Sequence, residues 1–225
     1  VFALMLVGTA LALPNLMADR VEQGEGIEKP KLALPRSLAL YVIAMVALAG
    51  FTAEGAILDW AALYLRDERD IPASMAGYAF AAFSAMMALV RFAGDPIRTR
   101  LGDQRMLRYS GIIAAVGFLI AGLWPSLTGS LIGFAIVGLG LANVVPIAFA
   151  AADRVPGVPR VIGISIATAC GYAGLLVAPP LIGFVAEVTS FAVIFAWVSL
   201  LPLYALFAAW ALGQGSTSST STRVG

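Results

Sequence analysis

Residues 38–60 read LALYVIAMVALAGFTAEGAILDW, and across that whole stretch Glu54 and Asp59 are the sole charges. Crossing about 30 Å of hydrocarbon takes about 20 mostly apolar residues wound as a helix. The stretch meets that length, and helix is forced because lipid offers backbone N–H and C=O groups no partners. The residue-by-residue alternation that marks a membrane β-barrel is absent.

Working outward, the same kind of run recurs along the chain. Spans are expected at 37–58 with an extension to Leu65, then at 73–94, 106–124, 128–151, 161–186 and 190–212, preceded by an incomplete one at 1–17. Composition agrees: 60% of the residues are hydrophobic and 12% charged, whereas soluble domains keep about a quarter charged. The expected fold class is therefore an all-α polytopic membrane protein. The chain opens at Val1 inside an apolar run with neither a basic n-region nor a cleavage signal, so it reads as the remnant of a longer segment and not as a signal peptide.

Polar, breaker-rich linkers separate the runs: 19–36 with Pro30 and Pro35, 66–72, 95–105, the turn at Trp124-Pro125-Ser126, and 153–160 with Pro156 and Pro159. From Gly213 the chain is Ser/Thr-rich and reads as a disordered tail, 213–225. Alternating the linkers across the bilayer puts all but Arg66, Arg69 and Arg91 of the 14 Lys and Arg residues on one side. The positive-inside rule makes that side cytoplasmic, so the 18–36 linker and the C-terminus are expected inside an inner (cell) membrane. Trp60, Tyr64, Trp124 and Trp210 then fall at span ends, where aromatic belts form.

Whole classes of chemistry drop out. There is no histidine and one cysteine, Cys170, which removes His-based triads, ordinary zinc sites and internal disulfides. No metal or other cofactor is expected. A net charge of +1 without an aromatic-interleaved basic patch gives no footprint for nucleic acid. Gly138-Leu-Gly140 lacks the third glycine of a dinucleotide loop, no phosphate-binding loop exists, and Gly163-Ile-Ser-Ile-Ala167 has no base to activate its serine.

Polar residues inside a span are costly, so each is a candidate for function. Glu54 is the strongest; it lies roughly 24 Å along its helix from Leu38 at about 1.5 Å per residue, which places it in the outer leaflet. Asp59 follows about 140° further round, so the two are not a catalytic carboxylate pair, and Asp59 suits the outer mouth. Arg91, one turn before Gly94-Asp95, reads as a boundary anchor or a partner of Asp95. Asn143 precedes Pro146, a residue that frees backbone carbonyls within a membrane helix. Gly163, Ala167 and Gly171 recur every four positions, with Gly174 following, the spacing of close helix packing, and nearby Tyr172 has the reach to touch a solute.

The stretch Arg91-Phe-Ala-Gly-Asp-Pro-Ile-Arg-Thr-Arg-Leu-Gly-Asp-Gln-Arg105 resembles the inner-loop signature of the major facilitator superfamily, with Arg100, Gly102 and Arg105 at signature places, Thr99 where the family has aspartate, and Asp103 where it has a basic residue. Glu54 to Leu65 and Gly171-Tyr-Ala-Gly-Leu-Leu-Val-Ala-Pro-Pro-Leu-Ile-Gly183 look like stretches of bacterial permeases of that superfamily, near its sugar-transporting branches. The resemblance implies a C-terminal fragment: the end of helix six (1–17), the central cytoplasmic loop (18–36), and helices seven to twelve (37–212) as two inverted repeats, 37–124 and 128–212. It further implies secondary transport of a small solute such as a sugar, with protons as a candidate coupling ion and the absent N-terminal half as partner. The helices bearing Glu54 and Asn143 would line the cavity, with Tyr172 beside them, while Asp59, Arg91, Asp95, Arg100, Gly102 and Arg105 would serve gating or the interface between halves.

An efflux pump of the same superfamily is the nearest alternative. A seven-helix receptor or light-driven pump is weaker, because the only lysines, Lys29 and Lys31, sit in a linker and no helix can carry a retinal Schiff base. A membrane-embedded enzyme has little chemistry left to use.

Overall fold

The computed structural model describes residues 35–217, apart from the side chains at 93–96 and 210–217. The expected partial helix at 1–17, most of the 18–36 linker, the end of the tail and the Asp95 side chain therefore lie outside the described residues. In chain order the helices are α1 (Leu38–Asp67), α2 (Ala73–Ala76), α3 (Tyr78–Leu101), α4 (Asp103–Leu123), α5 (Leu127–Leu141), α6 (Val144–Ala152), α7 (Arg160–Ala186), α8 (Phe191–Val198) and α9 (Leu200–Thr217). They give six segments long and apolar enough to cross a membrane: Leu38–Asp67, Ala73–Phe92, Asp103–Leu123, Leu127–Ala152, Arg160–Ala186 and Phe191–Ala209. The chain is an all-α polytopic membrane protein, and its last helix runs past the apolar stretch to Thr217.

Three of the six spans are interrupted, Ala73–Phe92 at Gly77 and two others three residues before a proline. Pro146 and Pro202 have no N–H to give to the carbonyl four residues back. The helix accordingly parts at Ala142–Asn143 between α5 and α6, and at Ser199 between α8 and α9. The backbone resumes at once in the first case, with Ile147 N–H donating to the Asn143 carbonyl over 3.0 Å. At Ser199 the hydroxyl donates to the Ala196 carbonyl at 2.6 Å.

Without a hydrophobic drive between helices in lipid, small residues let backbones approach and dispersion holds them. The four-residue spacing on α7 shows this: Gly163, Ala167, Gly171 and Gly174 are all buried, and a Cβ on Gly174 would lie 2.6 Å from Thr52 Oγ1 of α1. Helix α1 packs along α7, α9 and α6, while α5 packs on α4 and α3, and α9 closes against α4. In both halves of the bundle the second spanning helix, α3 or α7, leans on the first helix of the other half. Those two spans are also the least buried of the six.

One end of the bundle is tied by a single short loop. Tyr64, fully buried on α1, donates its hydroxyl hydrogen to the Ala121 carbonyl at 2.7 Å. Arg69 donates to the same hydroxyl oxygen at 2.8 Å and to the Gly122 carbonyl at 2.7 Å. Its neighbour Glu68 accepts from the first N–H groups of α8, those of Phe191 and Ala192. A cation thus sits on the negative end of α4 and an anion on the positive end of α8, each where the helix dipole favours it. Hydrogen bonds to charged groups contribute about 1.5–3 kcal/mol. Glu68→Ala and Arg69→Ala should each lower stability by about 2 kcal/mol on that scale, read as a fall in thermal midpoint in detergent; an unchanged midpoint for both would show the loop to be passive.

At the opposite end Arg98 forks onto Asp103, with 2.6 and 3.1 Å contacts, and Arg154 reaches the same carboxylate at 3.5 Å. Gly102 between them has φ 77°, a left-handed conformation that favours glycine.

Candidate functional site

Glu54 lies within α1 among apolar residues and is half-buried. It makes no hydrogen bond or ion pair with the described side chains. Arg91, on the neighbouring α3, is the charged group whose field acts on it. Arg91 is exposed and stands one residue before the end of the apolar span Ala73–Phe92, on a helix that continues to Leu101. Its Nε–H reaches the Ala142 carbonyl at 3.4 Å. That carbonyl is the one whose helical donor would be residue 146, and Pro146 has none to offer. Arginine from a neighbouring helix supplies what the proline removed, one of the ways a broken membrane helix is tolerated.

Asn143 follows directly on Ala142 at the N-cap of α6. It is 7% exposed, and its Nδ2 has no hydrogen-bond partner. Buried amides are nearly always satisfied, so this unpaired donor, on the residue next to the one Arg91 contacts, stands out. Arg91 of α3 thus contacts the helix break at Ala142, next in sequence to Asn143, and acts through its charge on Glu54 of the neighbouring α1.

Tyr172 joins through aromatic packing. Its ring stacks on Phe51, one turn before Glu54, with centroids 5.4 Å apart, and Phe51 meets Phe149 of α6 at 6.2 Å. Tyr172 is itself 53% exposed, so one ring face stays open. Neither Phe51 nor Phe149 stands out in the sequence. The placement of Phe51 at three residues from Glu54 was the available signal.

The remaining candidates lie elsewhere. Asp59 is exposed, beyond Glu54 on α1, and Arg100, Gly102 and Arg105 are at the far end of α3 and the start of α4, exposed to the surroundings. Asp103, not a signature residue in the sequence reading, is the acid that gathers charge there. An apolar groove of about 610 Å³ between α7, α8 and α9, lined by Leu181, Val185, Trp197 and Leu201 among others, holds no charged group and does not suit a polar solute. Among the described residues no cluster of His, Cys, Asp or Glu could hold a metal ion.

The sequence of this six-span chain matches a known family model, described as Major Facilitator Superfamily, over residues 1–160 and again over 40–223. The chain belongs to the major facilitator superfamily. It is 36% identical over 200 residues to an uncharacterized MFS-type transporter of Yersinia pestis, covering 89% of this chain and 51% of that protein. It is similar also to the membrane protein MosC of Rhizobium meliloti, at 32% over 183 residues, with 81% and 44% covered. An uncharacterized transporter of Sinorhizobium fredii is 36% identical over 171 residues, with 75% and 45% covered. The chain spans about half the length of these curated relatives. It is a multi-pass membrane protein of a family of transmembrane transporters.

Proposed function

We propose that this chain is the C-terminal six-helix half of a proton-coupled permease for a small polar solute, with Glu54 as the group that takes up and releases the proton. One observation carries the reading: an acid with no fixed partner inside a span, in the field of a cation on the next span and beside a broken helix. Discontinuous helices at mid-membrane are where secondary transporters hold substrate and coupling ion. Two inverted repeats, 37–124 and 128–212, are supported by the exchanged packing of α3 on α5 and α7 on α1. The low burial of α3 and α7 fits a face covered by the other half, against which this bundle would rock as bound ligand biases the two states.

The full-length transporter in proteoliposomes should accumulate solute when the outside is made acid and stop when a protonophore collapses the gradient. Accumulation indifferent to the gradient would remove the proton from the mechanism.

The charge asymmetry of the linkers supports a cytoplasmic location for the 18–36 loop and the C-terminus. In a Cys170→Ser background, a membrane-impermeant maleimide added to intact cells should label Asp70→Cys and leave Glu25→Cys untouched. The reverse pattern would invert the topology.

A further inference from the structure

Arg91 has donors to spare. A guanidinium carries five N–H groups in a planar fork, and the described contacts of Arg91 commit one of them, over a long 3.4 Å. No ion pair closes between Arg91 and Glu54 among the described residues, although Arg91 is the charge that acts on that acid. The adjoining Asn143 Nδ2 is buried without a partner. Two hydrogen-bond donors thus belong to the break between α5 and α6: the exposed, cationic Arg91, whose Nε–H reaches the Ala142 carbonyl, and the amide of the next residue, Asn143, buried without an acceptor. From the arrangement around Arg91 and Asn143 we infer that the solute carries a carboxylate, held by the Arg91 fork and the Asn143 amide. This inference rests on the proton-coupled reading of Glu54.

Charge balance makes the class specific. A cation inside a span needs a counter-charge, and in the empty site Glu54 in its carboxylate form provides it. When Glu54 takes a proton from water, one negative charge leaves the site, and a solute carboxylate restores it. The sum over Arg91, Glu54 and solute is then zero before and after, with one proton carried per carboxylate. A phosphate monoester brings about −1.5 to −2 and would overcompensate one guanidinium. The other helices packed on α1 add no second charge near Glu54. Helix α7 brings the thiol of Cys170 and the phenol of Tyr172, with Arg160 at its far start; α3 brings Tyr78 at its start and Arg98 and Arg100 towards its end, α9 brings Tyr204, and α2, α5, α6 and α8 bring no titratable side chain, so that Arg91 is the charge that acts on Glu54. A carboxylate fits the fork in two parallel hydrogen bonds, which an alcohol cannot make.

The bland role for Arg91 is to satisfy the Ala142 carbonyl, and Pro146→Ala separates the two roles because alanine returns the missing N–H. The purified full-length transporter is followed by thermal unfolding with matched probes: gluconate against glucitol, lactate against propane-1,2-diol, benzoate against benzyl alcohol. We expect a carboxylate, and not its alcohol, to raise the midpoint of the wild type and of Pro146→Ala. Arg91→Gln and Arg91→Gln/Pro146→Ala should bind that carboxylate about ten- to a hundredfold more weakly, the loss of charge-assisted hydrogen bonds. Recovery of binding in the double variant would make Arg91 structural and overturn the inference. Alcohols that stabilise as well as their acids, or three carboxylates without effect, overturn it equally. In weakly buffered solution the binding carboxylate should draw about one proton onto the wild type, as the charge balance requires, and none onto Glu54→Gln. The two readings fail separately. A pH-driven uptake lost in Glu54→Gln with no carboxylate preference removes the substrate class alone, whereas carboxylate binding without proton uptake removes the coupling.

Discussion

Glu54→Gln in the full-length transporter should abolish pH-driven accumulation while leaving insertion and solute exchange between equal pools intact. Glutamine keeps the shape and the hydrogen-bonding capacity of the protonated acid but cannot release a proton, so the site loses its coupling ion and little else. One unit of pH gradient is worth about 1.4 kcal/mol per proton, or about tenfold in solute ratio at one proton per solute. The wild type should approach that ratio, and the variant should stay near unity. Asp59→Asn is the control from the same helix. Asp59 is exposed and makes none of the contacts described for the break, so its accumulation ratio should fall far less. Normal uphill transport by Glu54→Gln would leave Glu54 as a helix-to-helix hydrogen-bonding residue and shift attention to the Arg91–Asn143 pair.

The spans were legible in the sequence because the bilayer allows so few solutions. An apolar run such as 128–151 must be helical and must be about as long as the hydrocarbon is thick. The small-residue spacing on α7 was legible for the same reason, since glycine recurring every four positions has little use other than close packing. The parting of α5 from α6 was half-legible: Pro146 announced a freed carbonyl, but its satisfaction by Arg91 depends on how α3 lies against α5. Arg91, near the end of an apolar run, reads as a boundary anchor, and its contact with the Ala142 carbonyl follows from the register of α3 against α5, which no local pattern encodes. The same holds for Phe51 against Tyr172. Glu68 and Arg69 looked like ordinary loop charges, and their role at the ends of α8 and α4 exists only once those helices meet at one loop. Arg100 and Arg105, at signature places, stand exposed, while the pairing of Asp103 with Arg98 and Arg154 depends on how the ends of α3, α4 and α6 meet.

The largest loss of stability should come from Gly133→Leu, at the contact between α4 and α5. These helices run antiparallel with Gly133 facing Ala121, Gly140 facing Ala114, and Gly117 lying between Gly133 and Val137. A Cβ at Gly133 would stand 2.6 Å from the Cα of Ala121, and one at Gly117 would stand 2.6 Å from the Val137 nitrogen. Backbone lies on both sides of the seam, so no flexible side chain can turn away to make room. Overpacking of an ordinary core costs about 1–3 kcal/mol, and a seam that must separate along its length belongs at or above the top of that range. Helix α5 also carries the break that positions Ala142 and Asn143, and α4 is pinned by Arg69. Displacing one against the other therefore disturbs the candidate site as well as the fold. Gly77→Ala is the matched control, with no atom within 4 Å of the added Cβ and a backbone φ of −68° that alanine adopts freely. In detergent, Gly133→Leu should melt far below the wild type or aggregate on size exclusion, and Gly77→Ala should be indistinguishable from it. A Gly133→Leu protein as stable as the wild type would mean that α4 and α5 do not meet backbone to backbone at this seam.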